Sequence, residues 1–127
     1  PDIVIASSMG GAIALEYLHK AEYLAPAILI APALGRLLGE EGLVRWCDEF
    51  CARPDHRKYP IIVVHSVLDD VIDIEHSREL CRRIGAELVE VADGDHALND
   101  FLLDGASKDG SSPQGNNLKR IIDRILS

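Results

Sequence analysis

Two short apolar runs constrain this chain most. Ala27-Ile-Leu-Ile-Ala31 has no polar side chain at any position, and Ile61-Ile-Val-Val leads into His65 in the same way. A strand that is apolar on both faces is stable only in a sheet covered by helices on both sides. A similar run, Ile-Val-Ile-Ala, follows Asp2, and a fourth segment at residues 87–91 alternates polar and apolar positions. The gaps between these runs are long enough for crossover connections, so the strands run parallel. The intervening segments carry helical spacing. Residues 12–20 have apolar side chains at 12, 13, 15 and 18. Residues 37–52 carry Leu38, Val44, Trp46, Cys47 and Phe50, with Gly39 and Gly42 weakening the start. Residues 74–84 form a helix that Gly85 stops, and residues 118–126 present Leu118, Ile121, Ile122, Ile125 and Leu126 on one face. The pattern predicts an α/β fold: a three-layer parallel sheet of about four strands with helices on both faces. The polar stretch at 53–60 reads as a linker. Residues 104–115, rich in Gly, Ser and Asp, read as a mobile loop. No repeat or second domain is visible, so residues 1–127 read as one domain.

Composition narrows the function classes. Hydrophobic residues make up 47% of the 127, enough to form a core. The formal net charge of −8 argues against a nucleic-acid binder, which needs a basic face, and against anionic membrane surfaces. No apolar run is long enough to span a membrane. Cys47, Cys51 and Cys81 lack a CxxC pair or a metal-ligand spacing. They read as reduced, buried small residues of a cytoplasmic protein. The acidic residues Asp69, Asp70, Asp73, Asp93 and Asp95 lack the regular spacing of a cation-binding loop, so no metal and no cofactor is expected.

Reactive groups of parallel open sheets collect beyond the C-terminal ends of the strands. Ser8 follows the first run, Asp69 and Asp70 the third, and Asp93, Asp95 and His96 the fourth. The set holds a hydroxyl, an imidazole and carboxylates. A serine hydroxyl is a poor nucleophile until an imidazole accepts its proton. The imidazole needs a carboxylate on its other nitrogen to fix its tautomer, and the developing oxyanion needs backbone N–H donors. Ser8 would sit at a sharp strand-to-helix turn, where small residues at Ala6 and Gly10 let the backbones approach, and Met9 N–H would point at the oxyanion.

Ala6-Ser7-Ser8-Met9-Gly10-Gly11 resembles the nucleophile elbow of the α/β-hydrolase family, G-x-S-x-G, with Ala in place of the first Gly. His65-Ser66-Val67-Leu68-Asp69-Asp70-Val71-Ile72 resembles the family segment H-G-x-x-D-x-x-V that delivers the acid, with Ser66 for Gly. Asp93-Gly94-Asp95-His96 resembles the turn that delivers the base. The order Ser, Asp, His is the family's order. The resemblance covers almost the whole chain, from the family's fifth strand to its last helix. It implies a partial α/β-hydrolase fold lacking the N-terminal strands and the loop that gives the second oxyanion donor. It implies Ser8 as nucleophile, Asp69 as acid, His96 as base and Met9 as oxyanion donor. The implied reaction is cleavage of a small-molecule ester or thioester without a cofactor. Peptide or amide hydrolysis on the same triad, and a non-catalytic binding role, are the alternatives.

Several residues admit a second reading. Ser7 competes with Ser8, and Asp70 with Asp69, although Asp70 also suits a turn cap. Asp73 suits the cap of the helix beginning near residue 74. Asp93 and Asp95 flank His96 and either could reach it, but they read first as turn formers around Gly94. His65 either lines the pocket or is a hydrogen-bonded structural histidine. His19, His56 and His76 read as surface residues. Residues 37–50, with Trp46, fall where the family often inserts a lid, and either cover the pocket or pack on the sheet. The sequence leaves the oligomeric state open.

Overall fold

A computed structural model describes residues 3–20, 25–92, 98 and 117–126. The elements run β1 (Val4–Ser7), α1 (Ser8–Lys20), β2 (Ala27–Ile30), α2 (Leu34–Cys51), β3 (Ile61–Ser66), α3 (Ile74–Ile84), β4 (Glu87–Val91) and α4 (Asn117–Leu126). The four strands form one parallel sheet in the order β1-β2-β3-β4, with Ser7 opposite Ile30 and Ile30 opposite Val64. Right-handed crossovers between strands that advance in one direction put every connecting helix on the same face. Accordingly, α1, α2 and α3 bury Leu15, Leu18, Trp46, Phe50, Leu80 and Ile84 against Ala27, Leu29 and Val63. The opposite face, Ile28, Ile30, Ile62 and Val64, is covered by Ile121 and Ile125 of α4 and by Leu98. The doubly apolar β2 and β3 are central, with every residue of β2 buried. The expected three-layer α/β architecture is therefore present.

Element ends differ from the sequence pattern in instructive ways. The first helix begins at Ser8, four residues before its apolar periodicity starts, because the chain passes from β1 into α1 with no intervening loop. The second begins at Leu34, directly after Pro32-Ala33, and Gly39 (φ 73°, ψ 176°) interrupts it. Beyond that break Leu43, Trp46, Cys47 and Phe50 are core residues, so this part of residues 37–50 is a layer helix packed on the sheet. Strand β2 stops at Ile30 because Ala31 turns to φ 45°. Helix α3 follows expectation. Asp73 caps it by accepting the Glu75 N–H at 2.9 Å, and Gly85 ends it in the left-handed conformation.

Three histidines expected at the surface are partly buried. The ring of His19 lies 5.5 Å from Trp46 and 6.1 Å from Phe50, and that of His56 lies 6.0 Å from Phe50. The nearest contact to a side chain added at Gly35 would be the His76 ring, which shows how closely α2 and α3 pack. The expected linker is also structured. Arg53 Nη1 donates to the carbonyls of Leu18 and His19, so it serves the C-terminus of α1, where unpaired carbonyls need donors. Among the described residues no helix is long and apolar enough to cross a membrane. The expected loop at 104–115 lies outside the described residues.

Candidate active site

The first site element is the junction of β1 and α1. Ser8 has φ 51°, in the left-handed region that non-glycine residues adopt at a cost of about 1–2 kcal/mol. Such a residue persists only where its surroundings hold it. Two contacts do so. The Ser8 carbonyl accepts the Ala33 N–H at 2.9 Å. Gly11, one turn into α1, lies against Pro32 so closely that an added Cβ would sit 2.9 Å from Pro32 Cβ and 3.0 Å from Pro32 Cα. The close approach expected at Gly10 belongs to Gly11 instead, since a Cβ on Gly10 would meet Ala6 Cβ at an ordinary 3.9 Å. Ser7 is the last residue of the strand and keeps its sheet register, so Ser8 alone occupies the sharp turn. Met9 lies in the first turn of α1, where N–H groups have no intrahelical acceptor and the helix end is electropositive.

The second element is the loop after β3. Asp69 and Asp70 diverge sharply. The Asp69 side chain is fully buried, whereas Asp70 is exposed. Asp69 Oδ1 accepts the N–H groups of Val71 and Ile72, each at 2.8 Å, and Oδ2 lies 3.1 Å from His65 Nε2. The turn-forming role considered for Asp70 is thus performed by Asp69. Ser66 Oγ accepts the Leu68 N–H at 3.1 Å, which gives the residue replacing the family's Gly a local task. From α2, Arg36 Nη1 donates to the Val71 carbonyl at 2.8 Å and ties this loop to the helix that follows β2.

His65 is the last but one residue of β3 and has no exposed surface. Its Nδ1 lies 2.7 Å from Ser77 Oγ, and its Nε2 lies 2.9 Å from the Ile72 carbonyl. A ring enclosed in this way does not line an open pocket, so the structural reading of His65 replaces the pocket reading. Trp46 does border a cavity. Its indole N–H donates to Glu16 Oε1 at 3.0 Å and its ring stacks on Phe50 at 5.1 Å. With Ala12, Ile13, Leu34, Leu37 and Leu38 it lines an almost wholly apolar cleft of about 320 Å³. Sequence reasoning missed Ala33, Pro32, Arg36 and Ser77. The first three act through backbone or long-range contacts that leave no pattern. Ser77 could have been suspected as a polar residue on the buried face of α3.

The third element follows β4. His96, with Asp93 and Asp95, lies outside the described residues. Leu98, two residues beyond His96, is buried with Ile30 and Val64 of the central strands, at φ 56°.

Burial makes the three cysteines poor nucleophiles. It pushes the Cys47 thiol from 9.0 up to about 11 and the Cys81 thiol up to about 12, and it raises Cys51 as well. Few thiolates therefore form at neutral pH.

The family model described as "Serine hydrolase" matches residues 1–104. An alpha/beta hydrolase named L404, from Acanthamoeba polyphaga mimivirus, is 28% identical over 81 residues, which are 61% of this chain and 31% of that protein. Among solved structures, the esterase domain of a Rhodothermus marinus protein superposes with a TM-score of 0.64 at 20% identity, covering all of this chain and 62% of that one. The butyrate-bound esterase Est2 of Thermogutta terrifontis superposes with a TM-score of 0.59 at 18% identity, covering 98% of this chain and 55% of that one. The chain thus spans less than two thirds of these relatives.

Proposed function

This chain belongs to the serine hydrolase family, and we propose that it cleaves a carboxylic ester or thioester through an acyl-enzyme on Ser8. The observation that carries this reading is the left-handed Ser8 at the C-terminal end of β1, a strained non-glycine residue fixed by Ala33 and by the Gly11–Pro32 contact. Strain of this kind marks functional turns.

In the proposed reaction Ser8 Oγ attacks the carbonyl carbon while His96 takes its proton. The Met9 N–H holds the oxyanion at the positive end of α1. The tetrahedral intermediate collapses, His96 protonates the leaving alcohol or thiol, and the acyl group stays on Ser8. His96 then deprotonates water, which attacks the ester, and passes that proton to Ser8 Oγ as the acid is released. Asp69 stays ionised and orients the imidazole. Its Oδ1 is committed to two backbone N–H groups, which fixes that oxygen in the loop.

Chain geometry supports the assignment of His96. Strands β1 and β4 are three spacings apart, about 14 Å. The five residues from Ala92 to His96 can reach about 17 Å when extended. Leu98 is anchored against the central strands. The chain length after β4 is therefore sufficient for a base on residue 96 to serve Ser8.

The apolar cleft beside Trp46 suits a short acyl chain, and one structural relative was captured with butyrate. A small-molecule substrate fits both. The free thiols of Cys47, Cys51 and Cys81 suit the cytoplasm. The test is hydrolysis of p-nitrophenyl acetate and butyrate, a butyryl thioester and a p-nitroanilide. Ester or thioester turnover that Ser8→Ala abolishes is expected. Turnover that survives Ser8→Ala contradicts the proposal.

A further inference from the structure

The acid loop holds a second histidine that the reaction above does not use. His65 is the last but one residue of β3, fully buried, and it sits directly behind Asp69. Its two ring nitrogens have different partners. Nε2 faces the Ile72 carbonyl at 2.9 Å and Asp69 Oδ2 at 3.1 Å. Both are acceptors when the carboxylate is ionised, so Nε2 must carry a proton. Nδ1 faces Ser77 Oγ at 2.7 Å. A hydroxyl can donate to it, and that bond suits the tautomer protonated on Nε2. Ser77 itself is buried on α3.

We propose that His65, with Ser77 behind it, is a positioning residue for Asp69: a fixed Nε2–H donor that holds the carboxylate oxygen not used by the backbone. The inference rests on the reading of Asp69 as the triad acid. The physical argument is one of degrees of freedom. Two N–H bonds to Oδ1 fix that oxygen but leave the carboxylate able to pivot about it. A third donor on Oδ2 removes the pivot. The same donor also binds the Ile72 carbonyl, so it closes the loop from residue 69 to residue 72 onto the end of β3. The hydroxyl of Ser77 selects the tautomer in which the donor faces the acid, as outer partners do for functional histidines. His65 touches no substrate in this scheme, so its loss lowers kcat and leaves KM unchanged.

The experiment uses the full protein with four variants: His65→Leu, His65→Gln, Ser77→Ala and Asp69→Asn. His65→Leu is expected to lower kcat by about 10- to 100-fold, the range found when an outer partner of a functional group is removed. His65→Gln, which keeps an N–H near the Nε2 position, restores part of that loss. Ser77→Ala lowers kcat less and keeps the fold. In ring-labelled protein, ¹⁵N NMR should show His65 as one tautomer protonated on Nε2, a signature that Ser77→Ala weakens. Should His65→Leu fail to fold, the Gln and Ala variants and the NMR signature still decide. The proposal is overturned if Asp69→Asn is inactive while the His65 variants keep the parent kcat, or if the His65 ring is protonated on Nδ1 alone. Full activity in Asp69→Asn would instead remove the reading of Asp69 beneath it.

Discussion

The carbonyl oxygen of Ser8 accepts the backbone N–H of Ala33 at 2.9 Å, so the turn that follows β1 is fastened to the turn that follows β2. One helical turn away, Gly11 lies on Pro32 with no room for a methyl group. Gly11→Ala should therefore push α1 away from Pro32. Overpacking of this type costs about 1–3 kcal/mol. Denaturant unfolding should report that loss, and ester turnover should fall by more than stability alone explains, because the Ser8 turn moves with the helix.

The strained backbone at Ser8 gives a second prediction. Ser8→Gly removes the side-chain clash of the left-handed conformation and adds chain entropy to the unfolded state, so the two effects nearly offset. Its stability should equal or exceed that of the parent by up to about 1 kcal/mol. Ser8→Val, β-branched at the same φ, should lose about 1–2 kcal/mol. Both should be inactive. Thermal unfolding of the pair separates a turn kept for chemistry from one kept for stability.

Asp69 and Asp70 are adjacent in sequence and opposite in environment. Asp69→Asn retains an oxygen for the Val71 and Ile72 N–H groups but loses the charge that the imidazolium needs, and kcat should fall by about 10⁴-fold. Asp70→Asn should change kcat less than twofold. Steady-state kinetics on both variants test the assignment.

The architecture was legible because its strongest signals are physical requirements of the fold. Apolar runs at 27–31 and 61–64 demand a doubly covered parallel sheet, and β2 and β3 are indeed central. Asp73 and Gly85 act locally, and local cap chemistry is readable. The start of α1 was not, because Ser8-Met9-Gly10-Gly11 has the composition of a turn, and the contact of Gly11 with Pro32 lies far away in sequence. His19 and His76 were misread for the same reason. Their neighbours Trp46, Phe50 and Gly35 are far away in sequence. Within the site, the register favours Asp69 over Asp70 as the proposed acid, and the burial that sets the two apart comes from His65 and the backbone of Val71 and Ile72.

The buried thiols make stability depend on alkaline pH. The native state holds the Cys47 and Cys81 protons up to about 11 and about 12, while an unfolded thiol ionises near 9.0. Between those values the native state binds more protons than the unfolded state, so stability falls as pH rises. The slope is about 1.4 kcal/mol per pH unit for each thiol. Below pH 9 the thiols contribute no slope. Urea unfolding at pH 8, 9 and 10 should show this onset, and the double variant Cys47→Ala/Cys81→Ala should flatten it.

The assignment of the nucleophile is tested most directly by a fluorophosphonate probe applied to the protein at its natural length, followed by peptide mapping. A single adduct on Ser8, absent from Ser8→Ala and much slower to form in Asp69→Asn, is the predicted result. An adduct on Ser7 or another residue, or no adduct in protein that turns over an ester, would contradict it.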